Sequence, residues 1–380
     1  MRILLFTQQF ASSRTGVGTD ALVLASGLFD RGHEVCVAGP AGESADVRGI
    51  RYISVSPCRL DATPGRWISL GQSFSHVLHS RFKEYDIAHF TDAREAWKIH
   101  PRLIPVVGKI NDAYAADWFQ PAFPRHMYSD RAMRTVYYYF LRKIEHRVYP
   151  RLSGIIATSR YVAGIVRAAY GIDPARIHVV YSGIPDHPEP VPVPLEGRPA
   201  VIFTGANFQR KGLPVLFHAA SLLKVRFPDI RIHVVGKDRN QKALAKKARD
   251  LGIHENVLFH GWRPNPYVRA MMAGADVLAL PSFTEGFGIV CLEAMQVGTP
   301  VVATSRGGLA EVFSGSEAIF VRPGDPAGLA NAIDRIVSDR STALQLRNGG
   351  RQAAARFNIH ATAEAAEAVF LEILKHHQVR

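Results

Sequence analysis

Two glutamates, Glu285 and Glu293, bracket a glycine-rich loop and carry the clearest chemistry in this chain. Residues 281–300 read PSFTEGFGIVCLEAMQVGTP. The pattern predicts a strand ending at Leu280, a loop, and a helix starting near Gly288. A helix start presents N–H groups with no intrahelical acceptor, and positive partial charge, which suits a phosphate. Gly286 and Gly288 let the backbone approach a ligand closely and adopt unusual φ. A carboxylate repels phosphate but accepts hydrogen bonds from vicinal hydroxyls. One glutamate can therefore hold a transferred sugar and the other a ribose. The competing reading is a glycine-rich turn with solvated glutamates.

A second strand-to-helix loop, residues 205–212, reads GANFQRKG. Arg210 and Lys211 lie where an anionic group would bind. Arg grips phosphate oxygens bidentately and Lys adds a point charge, so together they can neutralise a diphosphate leaving group. Two cations at a helix start oppose its dipole, which favours a functional reading over two surface charges. A third loop, Thr15-Gly-Val-Gly-Thr-Asp20, follows the first strand. It lacks the third glycine of a dinucleotide fingerprint and reads equally well as a phosphate-facing or acceptor-facing turn or as a plain tight turn. No Asp-x-Asp pair stands at a strand end, so no essential metal is expected.

These segments together resemble the retaining GT-B glycosyltransferases of family four, the glycosyl transferases group 1. Glu285-Gly-Phe-Gly288 followed by Glu293 matches their E-x7-E pattern, Arg210-Lys-Gly212 their second signature, and Tyr181-Ser-Gly-Ile-Pro185 the segment that closes their first domain. The likeness is good over residues 150–325 and looser before that. Within the family, Asn207-Phe-Gln-Arg-Lys-Gly212 looks most like the lipopolysaccharide-core glucosyltransferases.

The resemblance implies roles. Glu285 would contact the transferred sugar, helped by the backbone from Gly286 through Phe287 and Gly288 to Ile289. Glu293 would hold the ribose hydroxyls. Arg210 and Lys211 would bind the diphosphate beside Gly205, and Gly16 and Gly18 would approach the same group. Backbone after a strand would read the base, here Gly261-Trp-Arg263. No cofactor is implied beyond a nucleotide-sugar co-substrate, a UDP-sugar ahead of a GDP-sugar. The sequence departs from the family at Lys109-Ile-Asn111-Asp112, where a His-Asp pair is usual and the His faces the sugar. Asn111 donates and accepts hydrogen bonds but cannot titrate. That change does not exclude transfer, since the resemblance implies that the leaving phosphate oxygen takes the acceptor proton, but it bears on which sugar is transferred. Asp112 and His89, at a strand end in Asp86-Ile-Ala-His-Phe90, are the acceptor-side candidates; a structural role competes for His89.

Positioning these residues requires two doubly wound α/β domains. Short apolar runs separated by helices recur along the chain: Ile3–Thr7, Val35–Ala38, Ile50–Val55, Asp86–Phe90, Pro105–Ile110 and Gly154–Thr158. They predict a parallel sheet covered on both faces. A proline-rich connector, residues 185–199, interrupts the pattern. Strand runs then resume at Ala200–Thr204, Ile230–Val235, Val257–His260, Asp276–Leu280, Val301–Ala303 and Ala318–Val321, with helices over Leu213–Phe227 and Lys242–Leu251 and helix-rich stretches about Ala327–Phe357 and Thr362–His376. The expected division is residues 1–187, an acceptor-binding Rossmann-like domain completed by a C-terminal helix over 358–380, and residues 188–357, a nucleotide-sugar-binding one. Two such domains would face a deep cleft, since ligands bind at the carboxyl ends of the strands.

Composition narrows the partners. The net charge of +13 over 380 residues points to anionic partners, an acceptor such as lipopolysaccharide core or an acidic membrane surface. Residues 125–151 concentrate cations and tyrosines as a basic amphipathic helix would, with Arg66 and Trp67 as additions; a packed helix with solvated arginines competes. Cys36, Cys58 and Cys291 have no metal-ligand spacing and read as buried free thiols. The apolar run Ile3–Phe6 is too short for a signal peptide, and no stretch approaches the ~18 apolar residues of a spanning helix. These signs predict a cytoplasmic chain, with any membrane contact peripheral, at the inner face. The function expected is hexosyl transfer to a glycan or glycolipid. Two alternatives remain: a sucrose- or trehalose-type synthase with a soluble acceptor, and a non-catalytic two-lobed sugar-binding protein. No base-reading motif supports nucleic acid.

Overall fold

The computed structural model describes residues 1–10, 16–41, 47, 49–56, 65–99, 103–120, 123, 125, 128 and 130–378. Thr15, Cys58 and parts of the 125–151 segment lie outside the described residues, as do the side chains of Arg66 and Trp67. The chain divides into two compact units. The first comprises Met1–Arg125, Ser129–Asp186 and Phe357–Arg380; the second comprises His126–Tyr128 and His187–Arg356.

Among the described residues the first unit holds a seven-stranded sheet. Its strands are β1 (Arg2–Phe6), β2 (Glu34–Pro40), β3 (Arg51–Val55), β4 (Ile87–Phe90), β5 (Val106–Ile110), β6 (Gly154–Ala157) and β7 (Ile177–Val179). They run parallel in the order β3-β2-β1-β4-β5-β6-β7. The second unit holds β8 (Ala200–Thr204), β9 (Arg231–Val235), β10 (Val257–Gly261), β11 (Val277–Leu280), β12 (Val301–Thr304) and β13 (Ile319–Val321). These are also parallel, in the order β10-β9-β8-β11-β12-β13. Every residue of β8 and β11 is buried. A parallel sheet has both faces covered by its crossover helices, so its strands are continuously apolar instead of alternating.

The first unit's helices are α1 (Gly16–Asp30), α2 (Gly65–Arg81), α3 (Tyr114–Trp118), α4 (Arg131–Val148) and α5 (Arg160–Tyr170). In the second unit they are α6 (Leu213–Leu223), α7 (Gln241–Asp250), α8 (Asn265–Gly274), α9 (Ile289–Gln296), α10 (Pro326–Ser338) and α11 (Arg340–Ala354). The final helix, α12 (Ile359–Gln378), belongs to the first unit. Its Ala363, Ala366, Val369, Phe370 and Ile373 share one core cluster with Ala21, Leu24, Ala25 and Leu28 of α1 and with the odd-numbered residues of β1. Glu367 of α12 accepts from Arg31 Nε at 2.6 Å and meets His33 Nε2 at 2.7 Å.

Two elements differ from the sequence pattern, and a third is divided more finely. β7 was not anticipated, because its residues are half-buried at the sheet edge and lack an apolar run. Gly16 and Gly18 lie within α1 and not in a loop before it. The long stretch after β13 is two helices. The Asp339 carboxylate accepts from Ser341 N at 2.9 Å, capping α11 and ending α10.

Candidate functional site

The strand order of the second unit reverses between β8 and β11. Loops at such a switch point leave a crevice at the carboxyl edge of the sheet. The loop after β8 carries Arg210 and Lys211, and the loop after β11 carries Glu285. Phe283 N donates to Arg210 O at 2.9 Å and joins the two loops. Gly212 makes this approach possible. Its φ is +79°, and a Cβ there would lie 1.9 Å from Pro281 O. Gly288 performs the other special turn, with φ +95° and ψ +50° at the cap of α9. An L side chain resists that left-handed geometry, and a Cβ would also lie 2.3 Å from Leu309 Cδ1.

Lys211 and Glu285 meet inside this constellation, Nζ to Oε2 at 3.1 Å. Ser282 Oγ donates to the same oxygen at 3.2 Å. Arg210 Nη1 donates to Thr284 O at 3.3 Å, beside them. Burial alone would raise the Glu285 carboxyl, but the charges of Lys211 and Arg210 and the donated bonds outweigh it and hold it below the usual carboxylate range. Gly205 lies against the aliphatic stem of Lys211. Gly308 N donates to Gly286 O at 3.2 Å, fixing the loop from its other side. Phe287 is buried, and Ile289 is the first residue of α9.

Glu293 sits on the second turn of α9. Asn265 Nδ2 donates to its Oε1 at 2.7 Å. Burial raises this carboxyl, only partly countered by that bond and by the charges of Arg269 and Lys211. The two glutamates thus have opposite tendencies, Glu285 firmly ionised and Glu293 easier to protonate. Arg263 is exposed after β10, its guanidinium 6.0 Å from the Tyr267 ring centre.

In the first unit the order reverses between β1 and β4. Gly16 and Gly18 of α1 follow β1 there. A buried ion pair anchors α1: Lys109 Nζ of β5 donates to Asp20 Oδ1 of α1 and, at 3.2 Å, to Ser182 Oγ. Asn111 follows β5 and turns its Nδ2 onto Thr91 O at 2.6 Å. A carbonyl can only accept, so the amide orientation is fixed, and Asn111 Oδ1 has no hydrogen-bond partner among the described residues. Asp112 Oδ2 lies 3.9 Å from Arg94 Nη2, which also grips Asp92 Oδ2 at 2.7 Å. Glu145 of α4 completes that cluster, 3.8 Å from Arg94 and accepting from the Tyr170 hydroxyl. Burial pushes its carboxyl up to about 7.

His89 does not face an acceptor, contrary to the expectation from its place at a strand end. It is fully buried between β1 and β5, with its ring centre 5.4 Å from that of Phe370 of α12. Neither ring nitrogen has a partner among the described residues. Burial and the Lys109 charge push its pKa down to about 3, so the ring is neutral.

The family models match both halves of the chain. Glycosyltransferase Family 4 covers residues 14–187 and Glycosyl transferases group 1 covers residues 189–353. The chain belongs to the family four glycosyltransferases. Among curated relatives, the D-inositol 3-phosphate glycosyltransferase of Corynebacterium urealyticum is 37% identical over 45% of this chain and 42% of its own. The 2-deoxystreptamine glucosyltransferase of Streptomyces kanamyceticus is 29% identical over 61% of this chain and 63% of its own. The matched stretches thus span less than two thirds of either relative. Among solved structures, sucrose-phosphate synthase of Thermosynechococcus elongatus aligns with TM-score 0.79 at 21% identity, covering 99% of both chains. WaaG, a glycosyltransferase involved in lipopolysaccharide biosynthesis, aligns with TM-score 0.73 at 20% identity, covering 97% of this chain and 99% of its own. Identities this low carry the fold alone, which is GT-B.

Three polar residues of this family four chain escaped sequence reasoning. Asn265 before a proline reads as a helix cap. Ser282 carries no signal of its own. Arg94 looks like one surface cation among many. Lys109 did leave a trace, as a charge inside the apolar run VVGKI.

Proposed function

We propose that this glycosyltransferase moves a hexose from a nucleoside diphosphate sugar to a hydroxyl of a glycan or glycolipid, with retention at the anomeric carbon. The observation that carries the reading is the 3.1 Å Lys211–Glu285 pair at the switch point, beside the left-handed cap of α9. Lys211 and Arg210 would take the diphosphate together with the N–H groups that open α9. Glu285 would accept from sugar hydroxyls through Oε1, since Oε2 is held by Lys211 and Ser282. Glu293 would accept from the ribose. Unit one, with Asn111 and Asp112 at its sheet edge, is assigned the acceptor.

The chemistry is electrostatic and positional. The bond from C1 to the diphosphate oxygen breaks, and the acceptor oxygen bonds to C1 on the same face. The acceptor proton passes to the departing phosphate oxygen. Asn111 cannot titrate and no protein base is required. Fixed cations and N–H donors aimed at the developing phosphate charge lower the barrier, and holding both substrates supplies the remainder. Charge neutralisation by Arg210, Lys211 and α9 makes a metal unnecessary, so chelation with EDTA should leave turnover intact.

A UDP-sugar is the preferred donor; a structural neighbour from Anabaena, HepE, is described in complex with UDP and glucose. The net charge of +13 favours an anionic acceptor and, with it, lipopolysaccharide or exopolysaccharide assembly at the inner face of the membrane. Among the described residues no helix is long and apolar enough to cross a membrane, so that contact would be peripheral. A second reading is transfer to a small soluble acceptor, as the names of the inositol-phosphate and deoxystreptamine relatives indicate.

Incubation with UDP-, GDP- and ADP-sugars tests the donor. A UDP- or GDP-sugar should raise the melting temperature and be slowly hydrolysed to the retained anomer, and Glu293→Ala should abolish the stabilisation. Stabilisation by free sugar without any turnover would favour a binding protein and sink the reading. Lipid-linked glycan against inositol phosphate as acceptor decides between the two acceptor classes.

A further inference from the structure

The first residue of α8, Asn265, makes a contact that its position in the helix does not require. An asparagine at the N-cap turns its side-chain oxygen onto the helix's own N–H groups; Asn265 stands one residue later, at the first helical position, so its side chain is not used as a cap. No side chain caps α8 at Pro264. Asn265 instead points its Nδ2 at Glu293 Oε1, 2.7 Å away on α9. A carboxylate only accepts, so the amide cannot be flipped.

Two further bonds tie α8 in place, one to α9 and one to the segment just after it. Arg269, one turn beyond Asn265, is buried and donates to Gln296 Oε1, one turn beyond Glu293. Thr299 Oγ1 donates to Met272 O at 2.6 Å. From the other flank the proline-rich connector supports α8, with Val193 N donating to Ala270 O at 3.0 Å. α8 therefore has one register against α9, and Asn265 has one place to put its amide. Glu293 Oε2 has no hydrogen-bond partner among the described residues.

We propose that Asn265 is a positioning residue for the donor nucleotide, holding Glu293 in the one rotamer that presents its carboxylate to the ribose hydroxyls. The proposal rests on the ribose reading of Glu293. α8 follows directly on Gly261-Trp-Arg263, so the helix that begins beside the base-side backbone also aims the ribose carboxylate. The N–H dipole favours the charged carboxylate that burial opposes. Without it Glu293 gains rotamer freedom and protonates at higher pH, and a protonated carboxyl loses one of its two good acceptors.

The experiment compares a nucleoside diphosphate with its 2′-deoxy counterpart, using whichever of UDP, GDP and ADP the parent protein binds most tightly. Titration calorimetry on the parent, Asn265→Ala, Asn265→Gln and Glu293→Ala supplies the affinities. The parent should prefer the ribo form. Asn265→Ala should weaken the ribo form about tenfold, the scale of one hydrogen bond to a charged group, and leave the deoxy form nearly unchanged. The donor KM should rise by the same factor with little change in kcat, and the acid-side loss of affinity should begin at higher pH. Asn265→Gln should recover part of the preference. A merely structural role would weaken both nucleotides alike, and that result, or an intact ribo preference in Asn265→Ala, overturns the proposal. If the parent shows no ribo preference, or Glu293→Ala keeps it, the ribose reading of Glu293 fails first and takes this proposal with it. Binding of none of the three nucleotides removes the donor reading altogether.

Discussion

Lys211 and Glu285 form an ion pair at 3.1 Å, so in the proposed reaction each would serve the fold as well as the chemistry. Lys211→Met should therefore lower kcat by about a hundredfold or more, as loss of a preorganised charge at a developing oxyanion does. It should also leave Glu285 buried without its counter-charge, so the variant's activity should acquire an acid limb at higher pH than the parent's; a pH-rate profile reads both effects. Glu145 makes a separate prediction. Its folded value lies above the ordinary 4.5, at about 7, through burial. Between those values the folded chain keeps a proton that the unfolded chain has released. Stability therefore falls as pH rises through that window, by ~3 kcal/mol in total. Glu145→Gln keeps an acceptor for the Tyr170 hydroxyl and has no charge to bury. Its melting temperature should exceed the parent's by several degrees at pH 8 and converge with it near pH 4.5. At this scale legibility followed chemistry: Glu285, Arg210 and Lys211 announce themselves by type and spacing, and they do meet in space. His89 misled because a strand end does not reveal which face of the sheet a side chain takes. Asn265 was hidden because its partner lies on the next helix, 28 residues away.

Elements were legible where burial is two-sided. β1, β8 and β11 are apolar at nearly every position and could be read directly; β7, half-exposed beside β6, could not. The split between α10 and α11 depended on one aspartate acting as a cap, a local hydrogen bond that periodicity does not register. Gly212 shows how one loop residue serves an element. Gly212→Ala adds a Cβ 1.9 Å from Pro281 O and forces a left-handed φ, which costs about 1–2 kcal/mol for the backbone alone. The loops joined by Arg210 O and Phe283 N should separate, so the variant should lose nucleotide-induced stabilisation out of proportion to its own melting shift. α4 makes the second prediction at this scale. Met133, Val136 and Phe140 are 74%, 58% and 59% exposed on one stretch of this helix, with exposed Lys143 and Arg147 beyond them. Apolar residues fringed by cations suit an anionic bilayer surface. Vesicles containing acidic phospholipid should sediment the protein at low salt, and neutral vesicles should not. Val136→Glu with Phe140→Glu should release it while leaving turnover of a soluble acceptor unchanged. Sedimentation equal on neutral and acidic vesicles would count against the charge argument.

For the whole molecule the proline-rich connector could be read as a boundary, but the composition of unit one could not be completed from the N-terminal half alone. Its core needs α12, which the chain contributes only after the second unit is finished. Periodicity alone marks α12 as amphipathic without saying which sheet it covers; the helix over 358–380 expected in the first domain and the α12 that packs on α1 and β1 occupy the same segment. Energetics make the consequence testable. Val369, Phe370 and Ile373 are each at most 7% exposed. Burying side chains of that size contributes about 1.5–3 kcal/mol apiece, so the three together supply roughly 5–9 kcal/mol, comparable with the ~5–15 kcal/mol that holds a whole domain folded. Deleting the chain after Phe357 should therefore unfold unit one, with β1 and α1 becoming sensitive to protease at 25 °C. The second unit closes its sheet without α12, so residues 187–356 should survive digestion as a fragment that nucleotide protects. Two protease-sensitive halves would mean that unit two depends on unit one for stability. An uncleaved truncated chain would mean that α12 covers a face the sheet can leave open.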